Sequence, residues 1–196
     1  MKKFTAFIVS FLMAIAAIRY CYLIIIGEIH PVLITWLLFS LAVGLGIWTY
    51  LSTDSKRDFI TNIANTVDVF ATWLITITLL IFGNHTSFKF VSIDMLCVMA
   101  VIVVLIYWRI SQKANMAYVA INIILIVAYL PTITGLWVAS TNTESFSVWT
   151  IILVSSLTAL HNPWKEKDLF ALLYASRAAI LTGVIISLML RIEFLK

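Results

Sequence analysis

Seven apolar segments, separated by breaks of only four to eight residues, leave this chain almost no length for anything folded in water. The segments run over Phe4–Ile26, Pro31–Leu51, Phe59–Phe82, Val91–Trp108, Met116–Val138, Phe146–Leu160 and Leu169–Leu190. A helix crosses the hydrocarbon core of a bilayer with about 20 residues. Seven spans therefore take up most of the 196 residues and leave only short loops and tails. At 63% hydrophobic and 11% charged, the composition lies far from the roughly 45–50% and 25% of a soluble domain. The runs show no period-2 alternation, which argues for helices and against a lipid-facing barrel. The expected fold class is all-α: a polytopic membrane protein with seven transmembrane helices. The sixth segment, at 15 residues, is short for a span, and a start at Glu144-Ser145 would lengthen it.

The charges set an expected orientation. Lysine and arginine in alternate breaks sum to eight on one side (Lys2, Lys3, Lys56, Arg57, Arg109, Lys113, Lys165, Lys167) and three on the other (Lys89, Arg191, Lys196). Basic loops stay in the cytoplasm, so the N-terminus is expected inside and the C-terminus outside. The formal net charge of +4 contains no basic cluster longer than two residues, which fits topology better than nucleic-acid binding. Cys21 and Cys97 lie within apolar runs without metal-type or CxxC spacing, as unpaired core thiols do. Lys2-Lys3, an apolar run and Ala14-Ile15-Ala16 have the form of a cleavable signal. The run continues to Ile26, however, and the repeat described next requires this helix, so it is expected to be retained.

Two stretches echo each other. Pro31, Thr35 and Trp36 precede a span and then Lys56-Arg57-Asp58-Phe59; Glu144, Ser145 and Trp149 precede a span and then Lys167-Asp168-Leu169-Phe170. Trp36 matches Trp149 and Asp58 matches Asp168, each aspartate at an expected helix N-terminus where it can cap free N–H groups. Taken alone, the tryptophans would fit an interfacial aromatic belt. Helices 1–3 then repeat as 5–7 with helix 4 as connector, a 3+1+3 plan of residues 1–82, 91–108 and 116–196. Both halves start from the same side, which makes them parallel repeats about the membrane normal.

This plan resembles the SWEET and PQ-loop (MtN3-like) superfamily of small transporters, and within it bacterial seven-helix membrane proteins. The residues carrying the resemblance are Pro31 with Thr35-Trp36, Tyr129-Leu130-Pro131-Thr132 running to Trp137, and Glu144-Ser145 with Trp149. It implies a bacterial inner-membrane carrier with a hinge at Pro131. The chain departs from the pattern in three ways. No proline stands near Ile18 in helix 1, helix 7 has no counterpart to Asn62 and Asn65, and the N-terminus is expected inside.

Arg19, Asp68 and Arg177 fall deep inside apolar runs. A charge at mid-helix costs about 2.5–3.5 kcal/mol on insertion scales, so each should face protein or a water-filled cavity. Asp68 lies ten residues beyond Asp58 and Arg177 nine beyond Asp168. That depth is about 14 Å, near the midplane, where the two charges could pair. Asn62, Asn65, Asp68, Thr72 and Thr76 form one polar stripe on helix 3, and Tyr174 lies a turn before Arg177. Arg19 is expected higher, level with Thr132. Two readings stay open: a buried network that fixes packing, or a substrate site of Asn62, Asn65, Asp68, Tyr174, Arg177 and Arg19, with an arginine available for an anionic group. Asp94 is expected at an interface. No span carries an interior lysine, the three histidines lie between segments, and Asp68 has no second core carboxylate beside it. No cofactor, metal or enzymatic chemistry is therefore expected. The function expected is transport of a small polar solute by alternating access; the alternative is a non-transporting sensor or assembly module on the same fold.

Overall fold

The computed structural model describes residues 1–29, 31, 33–83, 92–111, 113–142 and 144–194, with backbone alone at 34–35, 92–94, 96–98, 101, 105, 108, 111 and 131. His30, His85, Lys89 and Lys196 fall outside the described residues, as do the side chains of Thr35, Asp94, Cys97 and Pro131.

The apolar runs become helices: α1 (Lys2–Ile25), α2 (Leu33–Leu51), α3 (Ile63–Phe82), α4 (Ser92–Ser111), α5 (Ala114–Val138), α6 (Phe146–Ala159), α7 (His161–Glu166) and α8 (Leu169–Phe194). No strand occurs among the described residues. Among the described residues, four helices, α1, α3, α5 and α8, are long and apolar enough to cross a membrane. Their outer faces are built for lipid. On α1, Phe4, Phe7, Phe11, Ile15, Ile18 and Tyr22 are all exposed at steps of three and four, one apolar stripe along the outside. The protein is a helical membrane protein.

Three details bear on the sequence expectation. First, α6 starts at Phe146 as the sixth segment does, without the extension to Glu144: Ser145 is its N-cap residue, and its 14 residues span only about 21 Å. Second, the stretch after it is not a loop but the short α7. Pro163 has no N–H to donate to the carbonyl one turn back, so the α6 ladder cannot continue through it. The chain then re-forms one helical turn and closes with Lys167 in the left-handed region (φ 56°), where the Asp168 N–H reaches the Pro163 carbonyl at 3.0 Å. Third, α3 begins at Ile63 rather than Phe59. The Asp58 carboxylate accepts from the Thr61 N–H (2.7 Å) and hydroxyl (3.1 Å), and these bonds hold 58–61 as a turn. Asp168, by contrast, caps α8 as expected, accepting from the N–H groups of Phe170 (3.0 Å) and Ala171 (3.1 Å). The two aspartates are thus not strictly equivalent: counted from the helix starts, Asn62 rather than Asp58 matches Asp168.

Six helices pack in a closed ring in the order α1, α3, α2, α5, α8, α6 and back to α1, while α3 also touches α8 across it. Helix α4 lies outside, against α5 and α2. The end of the ring that carries most of the basic residues is tied by polar bonds. Lys2 Nζ lies 2.8 Å from Asp58 and 2.8 Å from Glu166, whose other oxygen accepts from the Thr61 hydroxyl at 2.7 Å. The buried Asn162 amide donates to the carbonyls of Lys2 (3.2 Å) and Ile60 (3.3 Å). At the opposite end, Arg191 donates to the free carbonyls of Leu136 and Trp137 and so closes α5 onto α8.

Candidate binding cavity

The polar stripe of α3 turns inward as its spacing requires, but its members divide the work. Asn62 is buried and donates to the Tyr118 hydroxyl at 3.2 Å. Asn65, fully buried, spans one rung of α2. With its amide turned so that both bonds form, its nitrogen donates to the Val43 carbonyl (3.1 Å) and its oxygen accepts from the Ile47 N–H (3.0 Å). Thr76 meets the Ser40 hydroxyl at 2.8 Å. These residues bind helix to helix and none of the three lines the cavity described below.

A Cβ added at Gly46 would stand 3.2 Å from the Asn65 amide. That amide is held on two sides, so Gly46→Ala is expected to cost about 1–2 kcal/mol, the lower part of the range for overpacking. Denaturation in detergent measures it. A loss no larger than that of an Ala substitution at Gly44, where nothing lies within 4 Å, would mean that the Asn65 amide yields freely.

Asp68 and Arg177 are brought close but not into an ion pair. Tyr174 stands between them: its hydroxyl donates to the Asp68 carboxylate at 2.8 Å, and the Arg177 guanidinium lies 4.5 Å from the centre of its ring. Because α3 starts four residues late, Asp68 lies only five residues into it, level with Tyr174 five residues into α8 and short of the midplane expected. Arg177 is 5% exposed, and among the described residues its Nε and Nη1 have no hydrogen-bond partner. Arg19 leaves the expected site altogether. It is exposed on the outer face of α1 and lies over the Tyr22 ring at 5.7 Å, since its position on the helix points away from the ring interior. Such a side chain can stretch its charge toward the interface.

Asp68 does reach a cavity of about 260 Å³ at the centre of the ring, to which all six ring helices contribute. From Asp68 and Thr72 it extends to Pro31 and Glu144, toward the end opposite the basic one. Its wall holds a continuous run of aromatic rings. Tyr20 lies 5.2 Å from Trp36, Trp36 6.3 Å from Phe39, Phe39 5.3 Å from Tyr129, and Tyr129 6.4 Å from Trp149. The Trp149 indole then donates to the Glu144 carboxylate at 2.9 Å, and Glu144 also adjoins the Tyr20 hydroxyl, which completes the collar. Burial pushes the Glu144 carboxyl above its ordinary range, against the opposing pull of these two bonds.

Glu144, Tyr20, Phe39 and Tyr129 were not anticipated as site residues. The signal was there for Glu144, an acid five residues before a tryptophan at a helix start, but hydropathy assigned it to a loop. Asp68 is therefore not alone, because a second carboxylate lines the same cavity. Trp36 and Trp149 are wall residues as well as markers, each the fourth residue of its helix. Helix α5 runs through position 131, and Thr132 beyond it lines the cavity.

Toward the basic end the interior is filled. Tyr50 donates to Asp168 at 2.6 Å, Tyr118 donates to the Phe170 carbonyl at 3.1 Å, and the Arg57 guanidinium sits 5.1 Å from the Tyr50 ring and 4.3 Å from the Phe170 ring. The rings of Tyr50, Tyr118 and Phe170 pack in sequence, with centroids 5.7 and 5.4 Å apart. The same region carries the Asp58 carboxyl, which burial would raise; the bonds from Lys2 and Thr61 outweigh this and hold it below its usual value.

Fold and cavity define a class, a helical membrane protein with a cavity at the centre of a six-helix ring. No protein family, no curated protein and no solved structure matches the chain.

Proposed function

We propose that the protein is a carrier of SWEET and PQ-loop type that moves a small polar solute across a bacterial inner membrane by alternating access. The observation that carries this reading is the central cavity, walled by all six ring helices, reaching one end and stopped at the other by the Tyr50–Asp168 and Tyr118–Phe170 contacts. A carrier caught open to one side has this form, whereas a module that only packs against partners needs no such chamber. The seven-span, two-repeat plan belongs to the same proposal. Exchanging α1 with α5, α2 with α6 and α3 with α8 maps the pairs that close the ring onto one another. The Tyr20–Trp36 contact maps likewise onto Tyr129–Trp149. On this reading α4 is the connector and the basic end faces the cytoplasm.

Two measurements test the proposal. The purified protein is first screened by thermal shift against sugars, amino acids, nucleosides, organic anions and organic cations, since a ligand that prefers the folded state raises its melting point. Uptake of the best ligand into proteoliposomes follows. Flux above that of empty liposomes supports a carrier; binding without flux leaves the sensor reading instead. Cysteines placed at the two termini are expected to label from opposite sides of the membrane. Labelling of both from one side would remove the seven-span topology.

A further inference from the structure

We infer that the cavity is built for a small organic cation carrying an alkylated or primary ammonium group. The inference rests on the carrier reading and names its substrate class. It narrows the small polar solute expected from the sequence, and it departs from the option that Arg19 or Arg177 serves an anionic group.

Charge is the first observation. Among the described residues the cavity wall holds two carboxylates, Asp68 at the inner end and Glu144 at the mouth, and no lysine or arginine. Arg19 lies on the outside of the ring, and Arg177 lies beyond the ring of Tyr174 and contributes nothing to the wall. Part of the Asp68 charge is offset by Arg177 through Tyr174. Among the described residues the donors beside Glu144 are neutral, the Trp149 indole and the Tyr20 hydroxyl. An anion entering this space would meet two like charges in a low-dielectric setting, while a cation would relieve the cost of burying them.

The collar is the second observation, and it is independent of the first. Five aromatic residues, Tyr20, Trp36, Phe39, Tyr129 and Trp149, follow one another around the cavity with centroids 5.2 to 6.4 Å apart. Aromatic faces attract ammonium groups through the ring quadrupole, and walls of this kind recognise quaternary ammonium. An inorganic cation would instead call for a shell of oxygen ligands. Among the described residues no three acidic, imidazole or thiol groups gather to provide one. The collar offers ring surface and the carboxylates lie at the two ends, an arrangement suited to an extended solute whose charge is carried on a greasy centre.

The test uses choline and its uncharged isostere 3,3-dimethylbutan-1-ol, which share a shape and differ in charge. Binding to the purified full chain is measured by calorimetry and thermal shift. Choline is expected to bind at least tenfold tighter than the isostere. Glu144→Gln and Trp36→Leu are each expected to weaken choline tenfold or more while the isostere is held as before after Glu144→Gln. The wild-type comparison needs no variant, so a variant that fails to fold does not remove the test. Equal binding of choline and isostere overturns the inference, as does Glu144→Gln binding choline like the wild type. Preferential stabilisation by a sugar or an organic anion also overturns it but leaves the carrier reading intact. Absence of binding and flux for every class tested removes the carrier reading, and this inference with it.

Discussion

Asp68→Ala is expected to destabilise the protein by about 3–5 kcal/mol, the range for stranding one partner of a buried charged network. Two groups lose their reference at once. The Tyr174 hydroxyl, on a side chain with no solvent exposure, loses its 2.8 Å acceptor, and Arg177 loses a carboxylate whose charge offsets its own. Asp68→Asn keeps an acceptor for Tyr174 but removes the charge, so its loss should be smaller. The informative variant carries both Asp68→Ala and Arg177→Met. Removing both charges should recover at least half of the loss, measured by chemical denaturation in detergent. A double variant no more stable than Asp68→Ala would mean that Asp68 acts through Tyr174 alone. Flux separates structure from function: the double variant should fold yet move no substrate, and normal flux would leave the network with a packing role only.

The second large effect is expected at Asp168. Its carboxylate holds two N–H groups at the start of α8 and the Tyr50 hydroxyl. Asp168→Ala therefore removes a helix cap and a partly buried hydrogen bond together, for about 2–4 kcal/mol. Asp58→Ala should cost much less, because its pair with Lys2 lies at a surface where both side chains remain substantially exposed. Equal losses at the two positions would contradict the asymmetry of the two helix starts. Tyr50→Phe isolates the closing contact. It should change stability little beyond the loss of one hydrogen bond, but make a cysteine placed at the buried Ala175 react several-fold faster from the basic end. Unchanged reactivity would show that the aromatic plug closes this end without the Tyr50–Asp168 bond.

The longer helices were legible because each follows an apolar run, which hydropathy marks even where a single charge falls inside it. Boundaries were legible where the chemistry is local, as at Asp168, and not where a side chain reshapes the backbone. Asp58 reads in sequence as a helix cap, yet its bonds to Thr61 make a separate turn, and only the folded geometry decides between the two. Pro163 carried enough information to anticipate a new turn of helix, but the polar residues around it read as loop. At the site, the spacing on α3 correctly turned Asn62, Asn65 and Asp68 inward. Spacing within one helix cannot say which neighbour each residue meets, and two of the three are consumed by Tyr118 and the α2 backbone. Arg19 was misread for a related reason: depth along the chain gives a level, whereas direction depends on which face of α1 the ring covers. The aromatic collar draws on α1, α2, α5 and α6, so no single stretch of sequence could reveal it.

The bond pattern of Asn65 has a mechanical consequence. At Val43 and Ile47 the backbone of α2 is bridged by a side chain belonging to α3, so part of one helix's axial stiffness resides in its neighbour. Flexing α2 at this rung would strain Asn65 and pull α3 with it, and the Ser40–Thr76 bond fastens the same pair nearer the other end. Helices α2 and α3 should consequently swing as a single lever. Any opening of the basic end would then occur where that lever meets α5 and α8, by sliding of the aromatic plug rather than by bending of individual helices.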